Sequence, residues 1–226
     1  MHAHLGQPFL IYQVVIDLML EKYVLFGYSG HSFVLLDSFV SMGKNVYGYF
    51  EKERKIENPY ELNYLGTEQE FEFKYNTIAL LGIGNNLVRQ RIANWVLNKN
   101  VKLGTVVDAT AVFSSKATLG NGSFIGPRAI VNSMTNIGIG SIVNSGAIVE
   151  HECSIGAFSH IAPGAVLCGN VRVGEKTLIG ANATVLPGIS IGKNCVIGAG
   201  AVIVKNLEDN SVVKGNPGKK TRDKYV

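Results

Sequence analysis

The sequence predicts a mixed fold: a small N-terminal α/β Rossmann-like domain followed by a parallel β-helix of hexapeptide repeats. Three observations carry this. Between residues 22 and 106, short apolar runs alternate with amphipathic stretches. From residue 107 a strict six-residue period takes over. The 26 glycines crowd the second half of the 226-residue chain, as repeated turns require.

The elements follow in order. Residues 9–20, "FLIYQVVIDLML", are apolar but short, contain Asp17, and follow no basic segment, so neither a membrane span nor a signal peptide is expected. Met19 is the expected functional start, with 1–18 an upstream extension; an amphipathic helix packing on the first domain is the alternative. The first domain, 19–106, opens with "KYVLFG", a buried strand. "YSGHSFVLLDSFVSMG" then offers Ser29 as a helix cap and Gly43 as a stop. "NVYGYF" and "NTIALLGIG" are further strands, and "NNLVRQRIANWVLNKN" is a helix capped by Asn85 or Asn86. Strands alternating with helices imply a parallel sheet, closing near Gly104.

The second domain spans 107–206. Every sixth residue from Val107 to Ile203 is apolar: seventeen positions, sixteen aliphatic and one Phe. That period fits neither a helix nor a hairpin sheet; it fits a three-sided coil with one hexapeptide per side, so seventeen repeats make between five and six coils. The aliphatic points inward and stacks on its equivalents in neighbouring coils. A mostly small residue four positions on, such as Ala111, Ser123 or Cys153, fits where the wall turns. Glycine often follows the aliphatic directly, as at Gly120, Gly156 and Gly174, and is expected to serve the corner's backbone angles.

Composition limits the function classes. A formal charge of +4 without a dense basic block argues against nucleic acid. "KGNPGKKTRDK", within the 207–226 tail, reads as a solvated segment, suited to a phosphate ligand if one lies near. Three cysteines without metal spacing imply a reducing, cytoplasmic setting and free thiols, with Cys153 and Cys195 serving as small hydrophobes.

"IVEHECSIGAFSHIAPGAV", residues 148–166, breaks the pattern. His151 lies two residues past inward Val149, so it should stand on the outer wall, where a solenoid needs no imidazole. Histidine titrates near 6.5 unperturbed, which suits proton transfer at neutral pH. A carboxylate on one ring nitrogen fixes the tautomer and raises the basicity of the other, and Glu150 and Glu152 both flank the ring. "GYSGHS", after a strand and before a helix, suits phosphate at a helix N-terminus, but it departs from G-x-G-x-x-G and is not read as an NAD site.

"GYSGHS", "IGNNLVRQRI", "VEHECSIGAFSHIAPGAVLCGNVRVG" and "VKGNPGKK" together resemble the bacterial sugar acetyltransferases, which include sialic-acid O-acetyltransferases and N-acetyltransferases of nucleotide-linked 4-amino sugars. The likeness covers about residues 20–218. It implies a left-handed coil, a homotrimer with active sites between subunits, and acetyl-CoA as donor, with no metal. It implies His151 as base and Glu152 as its partner, with Gly169 giving an oxyanion N–H. His160 would reach acetyl-CoA from the neighbouring subunit, the alternative being a corner histidine bonded to backbone, and Ala181 and Ala199 would contact CoA by backbone. Ser29, Gly30 and His31 would hold the nucleotide-sugar diphosphate, Glu51 and Gly84 the nucleotide, and Asn144 would lie near the substrate. The family often has two acids after the second strand; here Glu51 is followed by Lys52. Its frequent histidine at the domain junction is replaced by Asp108.

The reaction so implied is acetyl transfer to an amino sugar on a nucleotide, with sugar O-acetylation as the alternative. A zinc carbonic anhydrase on the same coil needs three converging histidines, and only His151 and His160 lie in the coils. A structural or ice-binding solenoid wants a flat repetitive face, and the outward positions here are irregular.

Overall fold

The computed structural model describes residues 21–68, 73 and 76–221; the expectations for 1–18 and for Met19 as the start lie outside them. Strands β1 (Lys22–Phe26), β2 (Val46–Phe50), β3 (Asn63–Tyr64), β4 (Thr77–Leu81) and β5 (Lys102–Leu103) form one parallel sheet in the order β3-β2-β1-β4-β5. Helices α1 (Gly30–Ser41) and α2 (Asn86–Asn98) complete the α/β layers. Val24, Leu25, Phe26, Ala79, Leu80 and Leu81 are buried because both faces of the sheet are covered. Asn85 is the α2 cap: its Oδ1 accepts from the backbone N of Leu87 at 3.0 Å and of Val88 at 3.1 Å. The two-residue strands β3 and β5 have no signature in the sequence; pairing with a longer neighbour alone defines them.

From β6 (Val106–Val107) to β22 (Val202–Ile203), seventeen two-residue strands recur every six residues. From β6 to β19 (Thr184–Val185) each pairs in parallel with the strand eighteen residues on, as in Val131↔Val149↔Leu167. The result is a left-handed parallel β-helix whose three sides are three sheets. The sixth-residue aliphatics from Ile125 to Ile203 form its buried axis. The small inward residues bond forward into the next coil. Ser123 Oγ donates to Gly138 O at 2.9 Å, Ser141 Oγ to Gly156 O at 3.0 Å, Ser159 Oγ to Gly174 O and Thr177 Oγ1 to Gly192 O, both at 2.8 Å. Buried hydroxyls are thereby satisfied rather than stranded. Cys153 and Cys195 occupy the same position as free thiols, Cys153 raised to about 11 by burial.

Two expectations need correcting. Positive φ recurs at every sixth residue from Gly122 to Gly200, and eight of these fourteen corners, Glu152 and Asn170 among them, are not glycine. The glycines directly after the aliphatic do another job: a Cβ at Gly156 would lie 2.5 Å from the backbone N of Glu175 in the next coil. Nor do residues 207–221 trail free of the coil, although Gly215, Asn216, Pro217, Lys219 and Lys220 are exposed to solvent as expected. Leu207 bridges Ile191, β23 (Val212–Lys214) extends one sheet in parallel, and β24 (Lys219–Lys220) folds back antiparallel on it.

The three outer faces differ. On the face containing β6, the residues Val106, Phe124 and Ile142 are buried against α1 residues Leu35, Leu36 and Phe39. The second face carries Thr118, Asn136, Ser154 and Arg172, all exposed. The third carries a row of Val112, Ile130, Ile148, Val166, Thr184 and Val202, all at least partly exposed. Asp108 ties the domains together: Ser38 Oγ donates to it from α1, and the Thr110 backbone N donates at 2.8 Å. Burial alone would raise its carboxyl, but these hydrogen bonds outweigh it and hold the group below its usual range.

Candidate active site

His151 stands at the corner after β13 (Ile148–Val149), exposed on the outer wall. Its Nδ1 lies 3.0 Å from Glu152 Oε2. The corner's positive φ at Glu152, +61°, turns that carboxylate back onto the preceding ring. Glu150 is engaged elsewhere, accepting from Asn132 Nδ2 at 2.9 Å. With Nδ1–H donated to Glu152, Nε2 is the basic nitrogen, and among the described residues nothing hydrogen-bonds it. The ring lies over Gly169, one coil on: a Cβ there would stand 2.6 Å from His151 Cε1 and 2.7 Å from Nε2. Only glycine leaves room for the imidazole.

A second group gathers where the domains meet. Ser29 sits at the α1 N-cap position, and its backbone N donates to Ser32 Oγ at 2.7 Å. His31 turns its ring inward, 5.6 Å from Phe124 and 6.0 Å from the His160 ring, centroid to centroid. Its Nε2 is buried without a partner. Gly84 comes within 4 Å of the His31 ring, measured from the position of an added Cβ. Glu51, at the end of β2, accepts from the Tyr28 backbone N at 3.3 Å, which brings it beside the "GYSGHS" turn. His160 Nε2 lies 3.1 Å from Asn144 Nδ2, and the Gly84 backbone bears on the ring in the direction that favours its protonated form. Burial, then the Arg89 charge, lowers His31 to about 4; burial, then Arg89, then His31, lowers His160 to about 3.

Depressed histidines set a sign for stability. In the unfolded chain these rings bind protons below about pH 6.5, whereas in the folded protein they resist. Their contribution is therefore complete above pH 6.5 and is lost as pH falls towards 4 and 3. Urea midpoints measured from about pH 8 to pH 5 should be flat above 6.5 and decline below it; a midpoint constant to pH 5 would contradict the buried neutral pair.

Beside His160 opens a groove of about 960 Å³ between the 84–87 turn and the β-helix, lined also by Lys176, Gly180, Ala199 and Lys214. Ala181 follows Gly180 at its edge, its carbonyl accepting from Gly200 N at 2.8 Å. Among the described residues no cluster of three or more His, Cys, Asp or Glu side chains could hold a metal ion, and no helix is long and apolar enough to cross a membrane.

The structure thus sorts the sequence candidates into two sets. His151, Glu152 and Gly169 share one corner. Ser29, Gly30, His31, Glu51, Gly84, Asn144 and His160 share the domain junction, with Ala181 and Ala199 along the adjoining groove. Within one chain the apolar third face separates Asn144 from His151. Sequence reasoning missed Arg89 and Lys176, whereas Lys214 opens the "KGNPGKKTRDK" segment read above as suited to phosphate. Arg89 had a signal: it begins the buried helical stripe Arg89, Ile92, Ala93, Val96, where an inward charge is out of place.

Comparison with known proteins finds likenesses to both parts of the chain. Residues 22–96 match the PglD N-terminal domain family, and residues 170–205 match the hexapeptide repeat of succinyl-transferase. The acetyltransferase domain of PglB from Neisseria gonorrhoeae FA1090, also solved with acetyl coenzyme A, is 30% identical; the match covers 89% of this chain and all of that one, with a TM-score of 0.85. PerB from Caulobacter crescentus, solved with CoA and GDP-perosamine, is 28% identical over 89% of this chain and 98% of that one, with a TM-score of 0.83. WeeI from Acinetobacter baumannii AYE, 22% identical over 89% of this chain and all of that one, shares the fold with a TM-score of 0.81. No curated protein gave a match.

Proposed function

Because the chain belongs to the β-helix sugar acetyltransferases, we propose that it transfers the acetyl group of acetyl-CoA to the amine of a nucleotide-linked sugar. The observation that carries the reading is the His151–Glu152 pair seated over Gly169. His151 Nε2 takes the proton from the sugar amine as its nitrogen bonds to the thioester carbon. The carbon–sulfur bond breaks and CoA leaves as its thiolate, which recovers a proton. The developing oxyanion lies against the Gly169 backbone N–H, where no side chain intervenes. A thioester is already activated, so no acetyl-enzyme is needed, and holding amine and thioester together supplies much of the rate.

The groove beside His160 suits the donor: Lys176 and Lys214 offer positive charge to its phosphates. The α1 N-terminus at Ser29, Gly30 and His31 suits the acceptor's diphosphate, with Glu51, Gly84 and Asn144 beside it. A second copy laid on the Val112–Val202 row would cover its apolar side chains and bring a neighbour's His151 corner towards the Asn144 corner. The enzyme we propose is accordingly a homotrimer with shared sites, acting in the cytoplasm. The PerB complex with GDP-perosamine supports a nucleotide amino sugar as acceptor.

The test is thiol release from acetyl-CoA with UDP-, dTDP- and GDP-linked 4-amino sugars beside free and CMP-linked sialic acid. Turnover with one nucleotide amino sugar is expected. Turnover with sialic acids alone would make the enzyme an O-acetyltransferase. On the donor side, Lys214→Glu should raise the KM for acetyl-CoA by roughly tenfold, with kcat changed little. An unchanged KM would remove that lysine from the donor site.

A further inference from the structure

Helix α2 buries an arginine for which acetyl transfer itself has no task. Arg89 is 1% exposed. Its Nε donates to Gly140 O at 2.7 Å, Nη1 to Ile83 O and Gly84 O at 2.9 Å each, and Nη2 to Asn86 Oδ1 at 2.8 Å, Phe158 O at 2.9 Å and Ser159 O at 3.3 Å. Every partner is a neutral oxygen, and burial lowers the guanidinium to about 9. A buried ion without a counter-ion is costly, and joining two domains does not require one, since apolar packing is often as stable.

The contacts converge on His160. Arg89 holds Ser159, the residue before it, and Gly84, whose backbone bears on its ring. A carbonyl has two lone pairs, so the Gly84 oxygen accommodates both Arg89 Nη1 and a ring N–H. The bond from Gly84 favours the protonated ring, as an N–H donated to a carbonyl does. His160 Nε2 faces the Asn144 amide nitrogen, because Asn144 Oδ1 is occupied by the Ser145 backbone N at 2.8 Å. Nδ1 therefore carries the proton and Nε2 accepts. Were the proton on Nε2, Asn144 would have to turn its oxygen inward and lose the Ser145 contact.

We infer that Arg89 is a positioning residue, fixing through Gly84 and Ser159 the His160 tautomer that aims the Asn144 amide at the acceptor sugar. This rests on the proposed place of Asn144 beside the acceptor. The charged and titratable groups bearing on His160 are Arg89 from α2 and His31 from α1. Both oppose a second proton on the ring, so the arrangement holds throughout the neutral range. Arg89 touches no substrate in this scheme; all its donors are occupied by the protein.

Two measurements test it. The first is imidazole NMR of the wild-type protein, with His160 assigned by its loss in His160→Gln. An Nδ1–H, Nε2-bare ring that does not titrate between about pH 8 and 5.5 is expected. An Nε2–H ring, or one that titrates in that window, overturns the inference whatever the substrate proves to be. Asn144→Asp offers Nε2 an acceptor in place of a donor and should switch the tautomer; an unswitched ring would show that Asn144 and His160 are not coupled.

The second is the kinetics of Arg89→Lys, which keeps the charge but loses the planar fork. The acceptor KM should rise about tenfold, with the KM for acetyl-CoA and kcat within about threefold. Equal effects on both KM values, or lowered stability with unchanged kinetics, would reduce Arg89 to a domain clasp. Should that variant not fold, the wild-type and Asn144→Asp spectra decide. A wild-type enzyme silent with every acceptor would fail the functional reading instead, while the tautomer remains separately measurable.

Discussion

His151→Asn is expected to fold and assemble as the wild type does and to lose a factor of roughly 10²–10⁴ in kcat. The imidazole is largely exposed, with side-chain exposure of 60%, and lies beside Glu152 and over Gly169, so its removal opens no buried cavity. Asparagine can still bond Glu152 but offers no basic nitrogen where Nε2 stands. Binding of both substrates should therefore change little, and the loss should fall on kcat. Glu152→Ala should cost less, because Glu152 fixes the tautomer and does not move the proton. Gly169→Ala should resemble His151→Asn: its Cβ would occupy space now held by Cε1 and Nε2, so the ring must swing off the wall. Initial rates of thiol release at saturating substrates, with thermal melting as the control for folding, check all three. A kcat within about threefold of wild type for His151→Asn would assign the proton to another group.

The coil was legible because its signal repeats. One aliphatic at a fixed spacing is weak evidence; seventeen in phase leave one geometry, and the strands fall where the period puts them. His151 was legible for the opposite reason, as an imidazole the wall does not need. What stayed hidden depends on contacts between residues far apart in sequence. Gly84, Arg89, Asn144 and His160 gather at one junction, yet nothing in the spacing of 84, 144 and 160 announces that a helix of the first domain lies against the third coil. His160 illustrates the limit: a reading by resemblance takes it to acetyl-CoA, while the structure gives its Nε2 a partner within the chain in Asn144 and also sets it beside the groove. Asp108 shows the same limit in reverse. It departs from the family pattern, and its reason emerges only with Ser38 of α1 beside it.

The glycines show how period and physical cause can separate, and they yield the largest expected loss of stability. Gly120, Gly138, Gly156, Gly174 and Gly192 stack at one corner, eighteen residues apart. A Cβ at each would meet the backbone of the coil that follows: 2.4 Å to Ile139 N, 2.6 Å to Ala157 N, 2.5 Å to Glu175 N, 2.5 Å to Gly192 C and 2.4 Å to Asp209 N. These contacts are with main chain, so no side chain can rotate away. Nor can the coils part locally: Gly156 N donates to Val173 O at 2.7 Å and Gly174 N to Ile191 O at 2.8 Å, and separating them breaks the ladder. Gly156→Ala should therefore destabilise by about 3 kcal/mol or more, the range of overpacking without relief. The positive-φ corners should tolerate far more, since lysine, methionine and phenylalanine already occupy them at Lys176, Met134 and Phe158. Gly146→Ala, with nothing within 4 Å of its added Cβ, then incurs only the left-handed backbone cost of about 1 kcal/mol. Urea midpoints of the two variants separate the causes. If Gly156→Ala lost no more than Gly146→Ala, backbone angle and not coil spacing would explain why glycine follows the aliphatic.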